Sequence, residues 1–337
     1  MRKFLSLMTL LLVAASCEIP FDFRSESGAC LYMQAVVNNG YLNVTERYAV
    51  PVNGGEAPTG PIRMDMQVNG TSMPVETTLK AGDEVSVHLD ADGVPHASGS
   101  TRIPPAPVIT QWTQEEVQAD TIHATRIAFT LDHAPEEGEY YGIRIQMQTT
   151  VSYMDGSTDM RVAWLTPGYI LSAAESGKFD LEDFMQVNFD GSYLGGSDFQ
   201  PITLVTRKQF EGPVYSFYLN SFDAGMLNGL RENMPGGETG VAGGGIISGG
   251  VGGGGGQQNP DPGKIPMGTQ TQYHLLFSRL SEEFYQYAKT LYQSNFDFLS
   301  NMGFTPANFT WSNVDGGLGF VGALSEVYIG PIEIKLK

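Results

Sequence analysis

The sequence predicts a mostly β protein: two β-sandwich domains of immunoglobulin or fibronectin type, one late amphipathic α-helix, and a glycine-rich flexible loop. Three observations lead there. Turn residues recur about every ten positions between short apolar or alternating runs, the spacing of a sandwich. Helix-forming residues in a 3.6-residue pattern are confined to one late stretch. Glycine (41), proline (19) and tyrosine (15) are plentiful, which favours short strands joined by many turns.

Residues 1–16 have the layout of a lipoprotein signal peptide. Arg2 and Lys3 give a basic start, residues 4–15 are apolar apart from Ser6 and Thr9, and Ala14, Ala15 and Ser16 precede Cys17. The apolar run is shorter than the ~20 residues a membrane span needs. Lipidation of Cys17 is the expectation, although Ala14 stands where leucine is commoner. Residues 17–28 then form a polar tether.

The first domain is expected over 29–103. Strands are read at 29–37, 41–52, 62–68, 74–79 and 85–89, separated by Asn39-Gly40, Asn53-Gly54-Gly55, Asn69-Gly70, Gly82-Asp83 and Asp92-Gly93. Cys30 falls in the apolar first strand and is read as core filling. The boundary is Pro104-Pro105-Ala106-Pro107, because proline cannot donate to a strand ladder and stiffens an extended link.

The second domain is expected over 108–337. Residues 122–131 alternate as a strand, 139–153 form a long one, and 202–206 and 214–219 form two more. Residues 179–189 read as a short helix or a loop. The run 236–262 is a flexible insertion, since poly-glycine loses much conformational freedom on folding and offers no face to pack. The helix is placed at 281–293, with Ser281 as cap, Glu282 and Glu283 at its positive end and Lys289 near the other. Leu280, Phe284, Tyr287, Ala288 and Leu291 make its core stripe. Tyr285 and Tyr292 fall on a neighbouring face and are the candidate ligand-contact residues. Closing strands are read at 318–324 and 326–334.

Charge and motifs exclude several function classes. The chain has 19 Lys+Arg against 37 Asp+Glu, and removing Arg2 and Lys3 leaves 17 against 37, a net of −20. Nucleic acid is an unsuitable partner for such a surface, which has no basic patch. The five histidines form no HxH or HExxH pair, and GxSxG, SxxK and Walker patterns are absent. Asp90-Ala91-Asp92-Gly93 starts like a calcium loop but lacks the later ligands and closing glutamate. No catalytic residue, metal or cofactor is assigned. The aromatic residues, Trp112, Trp164 and Trp311 among them, are read as mainly core.

Several stretches resemble a family of Bacteroidetes outer-membrane lipoproteins called domain of unknown function 4249. They are the cysteine with its tether, LKAGDEVSVHL (79–89), TRIPPAPVI (101–109) and FTLDHAPEEGEYYGIRI (129–145). LSEEFYQYAKTLYQSN (280–295) and SNVDGGLGFVGALS (312–325) complete the set. The long glycine-rich insertion departs from the family pattern. The resemblance implies an outer-membrane lipoprotein, on the cell surface or the periplasmic face, with two β-rich domains. It also implies association with a TonB-dependent nutrient transporter. The functional expectation is a non-catalytic binding or accessory subunit; the alternatives are an envelope hydrolase using paired carboxylates or a structural, adhesive surface subunit.

Overall fold

A computed structural model describes residues 28–50, 58–119, 122–164, 170–172, 185–189, 200–220, 266–296 and 310–332. Cys17 with its signal segment, nearly all of the 17–28 tether, and the 236–262 insertion lie outside these residues.

The strands in chain order are β1 (Cys30–Asn38), β2 (Tyr41–Ala49), β3 (Arg63–Val68), β4 (Thr71–Met73), β5 (Glu84–Asp90), β6 (Ala97–Arg102), β7 (Ile109–Ala119) and β8 (Ile122–Leu131). They continue with β9 (Tyr140–Tyr153), β10 (Thr158–Trp164), β11 (Ile170–Ser172), β12 (Met185–Phe189), β13 (Gln200–Thr206), β14 (Val214–Asn220) and β15 (Pro266–Leu280). Helix α1 (Glu282–Phe296) and β16 (Leu318–Ile332) close the order. The protein is mostly β, with sandwich packing and one late α-helix among the described residues. That helix is not long and apolar enough to cross a membrane.

Three sheets build the body. An eight-stranded sheet runs β12-β13-β9-β15-β16-β1-β2, with β10 also on β9. Two four-stranded sheets run β11-β14-β8-β7 and β4-β3-β5-β6. Because side chains alternate along a strand, each face of the large sheet has its own partner. One face carries two cores side by side. Leu31, Met33 and Val37 of β1 and Val321 and Ala323 of β16 pack with Val85, Val87 and Leu89 of β5. Further along, Ile143 and Ile145 of β9 and Leu275 and Phe277 of β15 pack with Phe129 of β8 and Phe217 of β14. The opposite face holds Val36, Leu280, Phe320 and Leu324 under Phe284, Tyr287 and Ala288 of α1.

The two sandwiches therefore share a sheet, and the chain does not divide cleanly at residues 104–107. Strand β16 is the reason. From Leu318 to Leu324 it pairs parallel with β1, and from Leu324 to Ile332 it pairs antiparallel with β15. Residues 29–103 thus receive their core residues Val314, Val321 and Ala323 from the far end of the chain.

The motif 312–325 supplies the geometry for this junction. The Asn313 side chain behaves like a piece of strand: its Nδ2 donates to Val321 O (2.9 Å) and Ser100 O (2.8 Å), and its Oδ1 accepts from Val321 N (2.9 Å). Asp315 bridges Ser98 of β6. Gly319 has φ +107°, and a Cβ there would stand 1.8 Å from Met33 O. Only glycine lets β16 come this close to β1.

Helix α1 begins at a buried polar node. Ser281 Oγ accepts from Phe284 N (3.3 Å), an N-cap contact, and from Ala323 N of β16 (3.1 Å). It lies 3.0 Å from Thr101 Oγ1 of β6, which donates to Glu283 Oε2 at 2.9 Å. One hydroxyl thus ties the helix to both sandwich-forming segments. Ser281→Ala is expected to cost about 1–2 kcal/mol, since it removes a cap and strands a buried amide. Urea unfolding that shows no change in midpoint would contradict this.

Several local expectations are corrected. Residues 185–189, read as helix or loop, form strand β12 on β13, because Gln186 and Asn188 alternate with apolar neighbours and find a partner ladder. Residues 74–79 are not a strand; β4 ends at Met73 and a turn follows. The fifteen-residue β15 is not among the expected strands, yet it pairs with β9 along its whole length. The helix extends a turn beyond 293, which leaves no basic residue in its last turn.

Candidate functional site

The helix covers only part of its face of the large sheet. Beyond it the same face continues along the second half of β9, with β10 on one side and β15 on the other. The register puts Trp164, Gln146 and His274 in one row across these three strands, and Val162, Gln148 and Gln272 in the next. A third row holds Met160, Thr150 and Gln270. Gln270 and Gln272 are exposed, and Gln146, Gln148, His274 and Trp164 are half-buried.

This face carries no ionisable acid, lysine or arginine at its outward positions 146, 148, 150, 152, 158, 160, 162, 164, 270, 272 and 274. A surface of ordinary composition places about three charges among eleven positions. In a chain with 37 Asp+Glu the omission is a property of the face. Its polar groups are the amides of Gln146, Gln148, Gln270 and Gln272, the His274 imidazole, the Trp164 indole N–H and the hydroxyls of Thr150, Ser152 and Thr158. Gln148 Nε2 donates to Gln146 Oε1 at 2.8 Å, which directs the Gln146 amide nitrogen and the Gln148 carbonyl elsewhere. His274 Nε2 is shielded from solvent and has no hydrogen-bond partner.

A buried ion pair closes the helix side. Arg144 of β9 and Glu326 of β16 are each 98 % hidden as side chains, having relative exposures of 2 % and 2 %. Arg144 Nη2 donates to both Glu326 oxygens at 2.6 Å, and Nε donates to Oε1 at 3.1 Å. Ser278 Oγ adds a bond to Oε1 (2.8 Å), and Asn39 Nδ2 one to Oε2 (3.3 Å). The Arg144 guanidinium lies 4.7 Å from the Trp164 ring centroid, fixing the indole at the margin of the face.

The helix tyrosines lie elsewhere. Tyr285, expected at a rim, is 6 % exposed and stacks on Tyr140 at 4.0 Å. Tyr292 is half-buried against the same cluster. Tyr285 packs on Tyr140 of β9 and Tyr292 joins the core cluster beneath the helix, because the apolar stripe is broader than the five residues read from the sequence. Neither is among the residues of the amide-rich face. The aromatics of the chain are mostly core, as with Phe129, Tyr215 and Phe277, whereas Trp112 is 39 % exposed. Gln146, Gln148 and Gln272 escaped the sequence reading, although the alternation IRIQMQ in β9 marks which residues face out.

A second polar cluster sits on the other face, near the inter-sandwich link. His133 Nδ1 is 2.7 Å from Asp132 Oδ1, and Nε2 is 3.3 Å from Glu139 Oε2. Glu139 is paired with Arg279 and accepts from Tyr141 Oη (3.0 Å) and Glu136 N (2.9 Å). Close by, Ser325, the cross-strand partner of Arg279, donates to Pro104 O at 2.8 Å. Bonds to Asp132 and then Glu139 raise the His133 pKa. Burial pushes the Glu139 pKa up, but the Glu136 amide, Arg279, Tyr141 and His133 together bring it below the usual range. A lowered carboxyl is the wrong direction for a general acid, so the cluster acts as a latch between the β8–β9 turn and β15.

The pH consequences follow from the two directions. The raised His133 contributes stability fully below its unfolded pKa, about 6.5, and loses it as pH rises through the folded value. The lowered Glu139 contributes above its unfolded value, about 4.5, and loses it as pH falls through the folded one. Stability is expected to decline slightly from pH 6 to pH 8, and His133→Gln to remove that decline. Because His133 is 44 % exposed, solvent keeps the effect small. Urea midpoints at both pH values, with an NMR titration of His133, check it; a His133 pKa below 6.5 would contradict it.

Cys30 is a free thiol whose pKa is raised by burial, the direction away from a reactive thiolate. No cluster of three or more metal-ligating side chains occurs among the described residues.

A family model described as a domain of unknown function (DUF4249) matches residues 23–328. No curated protein and no solved structure matches the chain.

Proposed function

The chain belongs to the DUF4249 family, and from that premise we propose that it is a lipid-anchored envelope protein acting as a non-catalytic binding or accessory subunit. The observation that carries this reading is the uncharged face of β9, β10 and β15. It is built on the long paired strands β9 and β15 with β10 at their edge, and offers fixed amides and an indole for recognition. Cys17 is the proposed lipidation site, since the small residues and basic start before it fit export and acylation. The proposed location is the outer membrane, with a TonB-dependent nutrient transporter as partner, on the resemblance set out above. The rigid, shared-sheet body suits a subunit that holds a ligand or docks on a larger assembly.

Affinity capture of the native lipoprotein from detergent-solubilised outer membranes tests this. The expected result is co-purification of a transporter, with acyl chains on Cys17 by mass spectrometry. Recovery of the protein alone, unacylated and in the soluble fraction, overturns it.

A further inference from the structure

We propose that the face formed by β9, β10 and β15 binds an uncharged oligosaccharide. This rests on the reading of the protein as a binding subunit and names the class of ligand.

The face matches such a ligand in three ways. First, its chemistry is that of hydroxyl recognition. A primary amide donates and accepts side by side, so it pairs with the vicinal hydroxyls of a sugar ring. The Gln146–Gln148 contact fixes two amides relative to each other, and Gln272 stands opposite Gln148 across the ladder. Second, the half-buried imidazole of His274 stands in one row with Gln146 and Trp164, a further hydrogen-bonding ring beside the amides. Third, Trp164 is oriented by the Arg144 guanidinium, itself held by Glu326, and Tyr328 stands 64 % exposed on β16. These two rings are separated by three strand spacings of ~4.8 Å, roughly 15 Å. The C–H faces of pyranose rings stack on such rings, and the span suits a short chain of sugars rather than one residue.

The missing charges select among ligands. An anionic glycan would meet no cation among the outward positions, and the net charge of the chain would repel it. A protein partner with an apolar face would leave the amide and imidazole groups buried and unpaired, each at about 1–3 kcal/mol. An extended peptide would add to the outer edge of β10 through its backbone, whereas Gln146, Gln148, Gln272 and His274 stand on the inner strands β9 and β15 and present side chains rather than backbone. A neutral sugar chain answers the hydroxyl-seeking groups and the aromatic margin together.

The test uses the full-length lipoprotein in detergent and isothermal titration calorimetry. The probes are the hexasaccharides of cellulose, xylan, mannan and starch, with an oligogalacturonate as the charged comparison. At least one neutral probe is expected to bind, and Trp164→Ala, Gln148→Ala and Gln272→Glu each to weaken it at least about tenfold, the loss of one good contact. Tyr41→Ala, on the distant edge strand β2, is expected to leave it unchanged. Gln272 is exposed, so its substitution leaves the fold intact even where Trp164→Ala does not. Absence of heat with every neutral probe, tighter binding of the oligogalacturonate, or equal affinity of the Gln272→Glu protein overturns the proposal. So does a protein partner cross-linking to this face with no sugar bound. If the sugars fail while the transporter co-purifies, the accessory reading stands and only the ligand class falls; if the sugars bind and no transporter appears, the reverse holds.

Discussion

Replacing Glu326 by alanine is expected to lower stability by about 3–5 kcal/mol, as for breaking one partner of a buried ion pair. The reason is the charge left behind. Arg144 is 2 % exposed and cannot turn to water, and its guanidinium loses three hydrogen bonds at once. Ser278 and Asn39 lose their shared acceptor as well. Chemical denaturation measures the loss. The paired replacement Arg144→Met with Glu326→Leu is expected to recover much of it, because two apolar side chains carry no desolvation penalty. A double variant as unstable as Glu326→Ala would show that the pair contributes through something other than charge compensation. Trp164 would also lose its cation in the double variant, so its fluorescence reports whether the indole stays in place.

Gly319→Ala is expected to be nearly as damaging, about 3 kcal/mol or more, with thermal unfolding as the measurement. Two costs combine. At φ +107° a side chain is strained by ~1–3 kcal/mol, and the new Cβ would overlap Met33 O at 1.8 Å. The obstacle is backbone of β1, so relief requires parting the parallel pair that joins the first sandwich to the shared sheet. Gly142→Ala makes a useful comparison. There the Cβ meets the tip of Ile202 at 2.5 Å, a side chain that can rotate away, and a smaller loss is expected. Equal effects at the two positions would contradict the argument that β1 and β16 are fused through their backbones.

The family resemblance gains a physical meaning from this junction. The stretch 312–325 is the place where Asn313 imitates a strand, Asp315 bridges β6 and Gly319 admits β1. The stretch 280–295 contributes Ser281, whose hydroxyl joins α1 to β16 and β6. Both stretches weld the two sandwiches, and neither contributes to the amide-rich face.

By itself the sequence determined the fold class, most of the strands before residue 103, the helix with its Ser281 cap, and the basic, apolar and small-residue order before Cys17. These are local matters: alternation, turn residues, capping and segment composition are all set within a few residues. Tertiary structure alone decided that β16 serves both sandwiches, since a strand's partner depends on which distant edge can accept it and not on its own pattern. It also decided that Tyr285 is core while Gln146, Gln148 and Gln272 share a face. Periodicity says that a residue points to one side of a strand or helix; only packing says whether that side meets another layer or water.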